Sequence, residues 1–141
     1  MKQFEHPQNQ SFHLNGVKHV QPSEVYDALC KGEAVLIDVR EQDEVVNEFV
    51  PMDTVLNHPM SVILERLQYI PKNQQLVLAC PGGVRSVKVA NLLQLQGYPQ
   101  VANLDGGLLY WKMSGFPYEI SQKNAGCGCG CQKEEKEQQP T

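Results

Sequence analysis

Short apolar runs separated by helical segments constrain the fold of this chain more strongly than any other feature of its sequence. Two runs, AVLID at 34–38 and QLVLA at 75–79, are apolar except for one end residue each. Such runs are typical of strands that are buried on both faces of a parallel sheet. Weaker strand candidates lie at 18–20, 55–57 and 101–104, so we expect five strands in all.

Helices are predicted between these strands from apolar spacing and from start and stop residues. We expect them at about 22–31, 61–69, 85–96 and 108–114, with Ser61 as the N-cap of the second. Strands that alternate with helices indicate an α/β fold with a central, mostly parallel five-stranded sheet, flanked by helices on both faces. Ligands of such sheets bind beyond the carboxyl ends of the strands.

The chain of 141 residues divides into three regions of different composition. Residues 1–16 are polar and are expected to form a flexible N-terminal arm. Residues 17–120 carry the apolar pattern and predict one domain, in keeping with the usual domain size of roughly 100–150 residues. Residues 121–141 lack Leu, Ile, Val, Phe, Tyr, Trp and Met, so they predict a disordered, cysteine-rich tail.

Charge and hydropathy exclude several classes of partner. The net charge of −4 argues against a nucleic-acid surface, which needs clustered Lys and Arg. No apolar run approaches the roughly 20 residues of a membrane span. The first ten residues, MKQFEHPQNQ, lack the apolar segment of a secretory signal. The expected location is therefore the cytoplasm, where thiols stay reduced.

Cys80 directly follows the second apolar run and begins a loop with two glycines before the next predicted helix. Glycine permits close backbone approach, and loop N–H groups that turn inward form a cradle for an anion. The N-terminus of the following helix and the charge of Arg85 act in the same direction, favouring the nucleophilic thiolate of Cys80. The structural alternative is a turn with a buried cysteine and a surface arginine. The residues predicted to bind a substrate are Pro81, Gly82, Gly83, Val84, Arg85 and Ser86.

Three segments together resemble the rhodanese family of sulfurtransferases. CPGGVRS at 80–86 is similar to the family's C-x-x-G-x-R-S loop. IDVRE at 37–41 resembles its D-V-R-E segment. LDGGLLYWKMSGFP at 104–117 resembles its closing L-x-G-G-x-x-x-W-x-x-x-G-x-P signature. The resemblance spans about residues 17–118, in the order expected for the family.

The resemblance implies a rhodanese-like fold and a sulfur relay. Cys80 would attack the sulfane sulfur of a small sulfur-containing anion such as thiosulfate and form a Cys80 persulfide. A thiophilic acceptor, cyanide or a thiol and in some cases a protein thiol, would then take the sulfur. Arg85 would orient the anionic donor, and no cofactor would be required.

Asp38 and Arg40 are expected to support the site rather than to react. A carboxylate at the end of a buried strand needs partners, either local N–H groups or a nearby arginine. Arg40 is then either that partner or a surface residue. The histidines show no metal-ligand spacing and are expected at surface or capping positions.

Two alternatives to a sulfurtransferase remain from the sequence. Phosphatases that share this fold use a Cys-x5-Arg loop, whereas four residues separate Cys80 from Arg85 here, a tighter mouth that suits one sulfur atom better than a phosphate. A non-catalytic binding or sensing module is the other alternative, and the intact Cys80 argues against it. The segment NEFVPMDT at 47–54 lacks both glycines of the family's G-H-I-P-G-A-type stretch, which leaves substrate choice open.

Three more cysteines, Cys127, Cys129 and Cys131, alternate with glycine near the end of the chain. Three soft thiolates so close together suit one soft metal ion, Cu(I) or Zn²⁺. They also suit sulfur relay, in which a tail thiol accepts the sulfur of the Cys80 persulfide. Incidental cysteines in a disordered end are the third interpretation.

Overall fold

The computed structural model describes residues 1–121 of the chain. Cys127, Cys129 and Cys131, and with them the predicted metal or relay site of the tail, lie outside the described residues. Among residues 1–121, no helix has the length and apolar character that crossing a membrane requires.

The strands have the following bounds: β1 Gln3–Phe4, β2 Lys18–Val20, β3 Ala34–Asp38, β4 Glu48–Phe49, β5 Val55–Asn57, β6 Gln75–Ala79, β7 Val101–Leu104 and β8 Glu119–Ile120. The helices are α1 Pro22–Cys30, α2 Gln42–Val45, α3 Val84–Leu95 and α4 Gly107–Met113. A 3-10 helix occupies Met60–Tyr69.

The central sheet confirms the predicted fold class and has one more strand than expected. Its order is β1-β2-β7-β6-β3-β5, and the last five strands in this order are parallel. These are the five strands predicted from the sequence. The sixth, β1, pairs antiparallel with β2 at one edge. It escaped prediction because two residues in a polar segment carry no alternating pattern.

Helices cover both faces of this sheet, as the alternation of strands and helices predicted. On one face, Leu78 of β6 belongs to the same buried cluster as Val87 and Leu93 of α3. On the other face, Val77 of β6 belongs to a second cluster with Trp111 of α4. Adjacent residues of β6 thus point to opposite faces and are buried on both, which explains why the run is apolar from Leu76 to Ala79.

The N-terminal segment 1–16, for which the sequence predicts a flexible arm, lies against this domain. Besides the pairing of β1, the backbone N–H groups of Gln8 and Asn9 donate to the carboxylate of Asp105 at 2.7 and 2.9 Å. Asp105 is fully buried and directly follows β7. The flexibility of the segment in solution stays a prediction.

The segment predicted as an α-helix at 61–69 is a 3-10 helix, and Ser61 is not its N-cap. The Ser61 hydroxyl instead donates to Oε1 of Glu41 at 2.7 Å. Ile63 is the one buried residue of this helix, whereas Leu64 and Tyr69 are exposed. Most helical stability in proteins comes from packing of an apolar face, and this segment buries little of its apolar surface.

Candidate active site

The candidate site lies at the carboxyl edge of the parallel sheet. Cys80 follows β6, Arg40 follows β3, and Asp105 follows β7. These three strands are neighbours in the sheet, with β6 between β3 and β7. The sheet therefore brings the predicted cysteine loop and the Asp38–Arg40 segment to one edge, where this class of fold binds ligands.

The sulfur of Cys80 is held by backbone amides of its own loop. The N–H groups of Gly83 and Ser86 donate to Sγ at 3.1 and 3.3 Å. The Ser86 hydroxyl oxygen lies 3.3 Å from the same sulfur. Cys80 is only 1% exposed, so the sulfur is buried, but the neighbouring amides point at it. Such a cradle stabilises negative charge on the sulfur.

Local backbone geometry explains why the loop closes around the sulfur. Gly83 precedes the first residue of α3 and has a φ of +88°, a conformation that favours glycine. A Cβ at Gly83 would also overlap the side-chain amide of Gln10. A Cβ at Gly82 would meet nothing within 4 Å, so this second glycine is not required by space.

The start of the loop is fixed from the other side by α4. The N–H groups of Leu108 and Leu109 donate to the carbonyl oxygens of Cys80 and Pro81 at 2.8 and 3.0 Å. This close approach requires Gly107, because a Cβ there would overlap both carbonyl oxygens. Gly107 thus shapes the cysteine loop itself.

Arg85 turns its guanidinium to a carboxylate rather than to the sulfur. It forms two hydrogen bonds with Glu44, at 2.9 and 3.0 Å, and both side chains are 34% exposed. These bonds lower the pKa of Glu44 from 4.5 to about 2. The sequence singled out Arg85 for the donor anion but did not identify Glu44 as its partner.

Asp38 and Arg40 form a buried ion pair. Nη2 of Arg40 donates to Oδ2 of Asp38 at 2.8 Å, and Nε donates to both carboxylate oxygens at 3.0 and 3.2 Å. Arg40 also donates to the carbonyl oxygen of Glu48 at 2.7 Å, which ties β4 to the end of β3. Both charges are therefore satisfied by the protein, and a supporting role for the pair stays a prediction.

A chain of buried polar side chains, which the sequence analysis missed, runs inward from the cysteine loop. The Ser86 hydroxyl donates to Oδ1 of Asn103 at 2.5 Å, and Nδ2 of Asn103 donates to Nδ1 of His19 at 3.1 Å. Nε2 of His19 lies 2.8 Å from Nδ1 of His13. His19 is fully buried, so the expected surface position was wrong for this histidine.

Burial also determines the charge of His19. It lowers the pKa of His19 from 6.5 to about 4, against the opposing effect of the Asp105 carboxylate. The ring is therefore neutral near pH 7.

Asn103 was the one sequence signal for this chain of contacts, because it is a polar residue inside the otherwise apolar stretch VANL at 101–104.

A cavity of about 290 Å³ borders the cysteine loop. It is lined by Arg40, Glu44, Asn47, Glu48, Pro81, Leu108, Leu109 and Tyr118. Within residues 1–121, no group of three or more His, Cys, Asp or Glu residues is arranged to hold a metal ion.

Comparisons with known proteins agree on one family. The family model described as "Rhodanese-like domain" matches residues 21–114. A protein named "Sulfurtransferase" from Allochromatium vinosum is 35% identical over 85 residues, which cover 60% of this chain and 78% of that protein. "Putative sulfurtransferase YtwF" from Bacillus subtilis is 35% identical over 80 residues, covering 57% of this chain and 75% of that protein.

Solved structures show the same fold. A rhodanese-related protein from Thermoplasma volcanium superposes with a TM-score of 0.64 at 21% identity and covers 73% of this chain and 98% of that chain. A rhodanese-like domain protein from Staphylococcus aureus superposes with a TM-score of 0.62 at 29% identity, covering 73% of this chain and 97% of that chain.

Proposed function

Because this chain belongs to the Rhodanese-like domain family, we propose that it is a sulfurtransferase of the rhodanese type and that Cys80 carries the transferred sulfur as a persulfide. The observation that carries the proposal is the pair of amide N–H groups, from Gly83 and Ser86, that donate to Sγ of Cys80. Hydrogen bonds of this kind stabilise a thiolate nucleophile and the anionic persulfide that follows it.

In the first step, the Cys80 thiolate attacks the outer sulfur of thiosulfate. A bond forms between Sγ and that sulfur, the sulfur–sulfur bond of thiosulfate breaks, and sulfite leaves with the electron pair. Val84 and Arg85 lie in the first turn of α3, where backbone N–H groups have no partner within the helix. We assign these two amides to the outer sulfur of the persulfide.

In the second step, an acceptor attacks the outer sulfur of the Cys80 persulfide. The bond between this sulfur and Sγ breaks, and Cys80 returns to the thiolate. Cyanide would leave as thiocyanate, and a thiol acceptor would become a persulfide itself. No cofactor enters either step, and a reducing location such as the cytoplasm keeps Cys80 out of disulfides.

Arg85 supports binding of the anionic donor by its charge and its fixed position. Its two hydrogen bonds to Glu44 hold the guanidinium at the rim of the loop, while about a third of the side chain stays exposed. We therefore propose that Arg85 attracts the donor by its charge and does not form a bidentate pair of hydrogen bonds with it.

The tail cysteines are the candidate acceptor within the chain. The described residues end at Ser121, whose N–H donates to the carbonyl oxygen of Asn47 at 2.6 Å, and Asn47 lines the same cavity as Pro81. Cys127 follows Ser121 by six residues, which span at most about 20 Å of extended chain. Binding of Cu(I) or Zn²⁺ is the alternative role, and thiol titration with and without metal separates the two.

The proposed activity is tested by thiosulfate-dependent formation of thiocyanate from cyanide. The wild-type protein is expected to release sulfite and thiocyanate in equal amounts, and Cys80→Ser is expected to release neither. Cys30→Ser is the matched control, because Cys30 is an exposed cysteine at the end of α1. Hydrolysis of a phosphate ester without sulfite release would favour the phosphatase, and a folded protein with neither activity would favour the binding module.

A further inference from the structure

Gln10 connects the N-terminal segment to the cysteine loop through its side-chain amide. Oε1 accepts from the N–H of Gly106 at 2.9 Å and from Nδ2 of Asn103 at 3.1 Å. Nε2 donates to the carbonyl oxygens of Phe12 and Gly83 at 2.9 and 3.1 Å. Three of these partners are backbone groups, whose donor or acceptor character cannot change. The backbone therefore fixes which end of the Gln10 amide points where.

This orientation fixes the direction of the hydrogen bonds that follow. Because Oε1 of Gln10 can only accept, the amide nitrogen of Asn103 must face it, and Oδ1 of Asn103 then faces Ser86. Oδ1 of Asn103 also only accepts, so Ser86 donates its single hydroxyl hydrogen to this oxygen, at 2.5 Å. The Ser86 oxygen thus presents lone pairs to the sulfur of Cys80, 3.3 Å away.

We infer that Gln10 is a positioning residue for Cys80, because through Asn103 it holds the Ser86 hydroxyl hydrogen away from the sulfur. A Cys80 thiol can donate its own hydrogen to the Ser86 oxygen, whereas the thiolate has none to donate and faces a lone pair. This contact favours the thiol over the thiolate, in opposition to the two loop amides. It limits how readily the sulfur ionises while the two loop amides support the charge. This inference rests on the proposed role of Cys80 as the nucleophile.

Gln10 lies outside the segment 21–114 that matches the family model. The N-terminal segment thus contacts the cysteine loop through Gln10, in addition to the pairing of β1 with β2. The charged and titratable groups that face this region are Arg85, Glu44 and Glu41 beside the loop, and Asp105, His13 and His6 beside His19. None of them is substituted in the variants that test this inference.

His19 provides a measurement on the unmodified protein. Its Nδ1 accepts from Nδ2 of Asn103, so a neutral ring must carry its proton on Nε2. Nitrogen-15 NMR of the native protein near pH 7 is expected to show the Nε2–H tautomer for His19. The Nδ1–H tautomer would require Asn103 to present its oxygen to His19, which would reverse the direction of the chain and overturn the inference.

Gln10→Ala removes the group that fixes the Asn103 amide. Asn103 can then turn its nitrogen to Ser86, which releases the hydroxyl hydrogen to the sulfur. The pH profile of Cys80 alkylation, followed on the Cys80 peptide by mass spectrometry, is expected to move down by roughly one pH unit, about a tenfold faster reaction below its midpoint. Gln8→Ala is the matched control and should cause no shift, because Gln8 is exposed and the bond that anchors it comes from its backbone N–H.

Ser86→Ala separates positioning from a general effect on folding. If Gln10 acts through the Ser86 hydroxyl, Gln10→Ala must cause no further shift in the Ser86→Ala background. A shift that persists there, or no shift in a folded Gln10→Ala protein, overturns the inference. If Gln10→Ala does not fold, the His19 tautomer decides. Loading of Cys80 by thiosulfate in the native protein tests the proposed function separately, since the tautomer and the alkylation profile do not depend on it.

Discussion

Two neighbouring strand ends at the same edge of the sheet use their polar groups in opposite ways. At the end of β3, Asp38 and Arg40 form an ion pair in which the residues are 1% and 4% exposed. At the end of β6, amide N–H groups surround the sulfur of Cys80. The two ends are adjacent in register, because Asp38 pairs with Ala79.

The difference shows that a polar residue at the carboxyl end of a parallel strand does not by itself mark a reactive group. Each charge of the Asp38–Arg40 pair is met by the other, so the pair stabilises the shape of the edge. The donors around Cys80 converge on an atom that has no fixed counter-charge. Their electrostatic potential is therefore available to the charge that develops on sulfur in the proposed reaction.

The largest expected effect on stability comes from breaking the Asp38–Arg40 ion pair at the end of β3. Arg40→Met leaves the buried Asp38 carboxylate without its partner, and we expect it to lower the free energy of unfolding by roughly 3–5 kcal/mol. Arg85→Met, in the half-exposed pair with Glu44, is the matched control and should cost less than about 1 kcal/mol. Urea unfolding measures both. Equal losses for the two variants would contradict the contrast.

A smaller effect on stability is expected where α4 contacts the start of the cysteine loop after β6. Gly107→Ala and Gly115→Ala both place a side chain at a positive φ, +69° and +87°. The new Cβ at residue 107 meets the carbonyl oxygens of Cys80 and Pro81, whereas that at residue 115 meets nothing within 4 Å. We expect Gly107→Ala to cost about 2 kcal/mol more than Gly115→Ala in urea unfolding. Equal losses of unfolding free energy in the two variants would mean that the loop can shift away from the new Cβ at residue 107 without destabilising the protein.

The two loop glycines give the next comparison. Gly83→Ala is expected to cost about 1–2 kcal/mol, because it combines a positive φ with overlap at Gln10, and to slow thiocyanate formation. Gly82→Ala has open space and should stay within about 0.5 kcal/mol of wild type, with its activity kept. Unfolding and steady-state assays on both variants decide. Similar losses of activity would show that Gly83 has no special part in the cradle.

The smallest effect concerns pH. The Arg85 guanidinium holds the pKa of Glu44 at about 2, below its ordinary 4.5. A carboxyl with a lowered folded-state pKa adds stability above its unfolded pKa and loses it as the pH falls towards the folded value. The stability difference between wild type and Glu44→Gln should stay below about 1 kcal/mol above pH 4.5 and vanish towards pH 2. Glu65→Gln, at an exposed position of the 3-10 helix, should show no such trend.

The sequence predicted the layers of the fold well because burial leaves a direct mark on composition. AVLID and QLVLA became β3 and β6, with the bounds expected, and the loop after QLVLA encloses Cys80. The 3-10 helix at Met60–Tyr69 was predicted as an α-helix because apolar spacing alone does not report how much of a helix is packed.

The parts of the site that were not predicted depend on contacts between distant residues. Gln10 contacts Asn103 and Gly83, which are 93 and 73 positions away along the chain. Arg85 contacts Glu44, 41 positions away. No local pattern encodes such pairs, since a polar side chain looks the same in the sequence whether it faces solvent or a buried partner.

The most direct measurement is the stoichiometry and position of sulfur bound after a single exposure to thiosulfate labelled in its outer sulfur. Peptide mapping of a variant in which Cys127, Cys129 and Cys131 are replaced by serine is expected to show one labelled sulfur per chain, on Cys80 and not on Cys30. Label on Cys30 at the same level, or a folded protein without label on Cys80, would contradict the account.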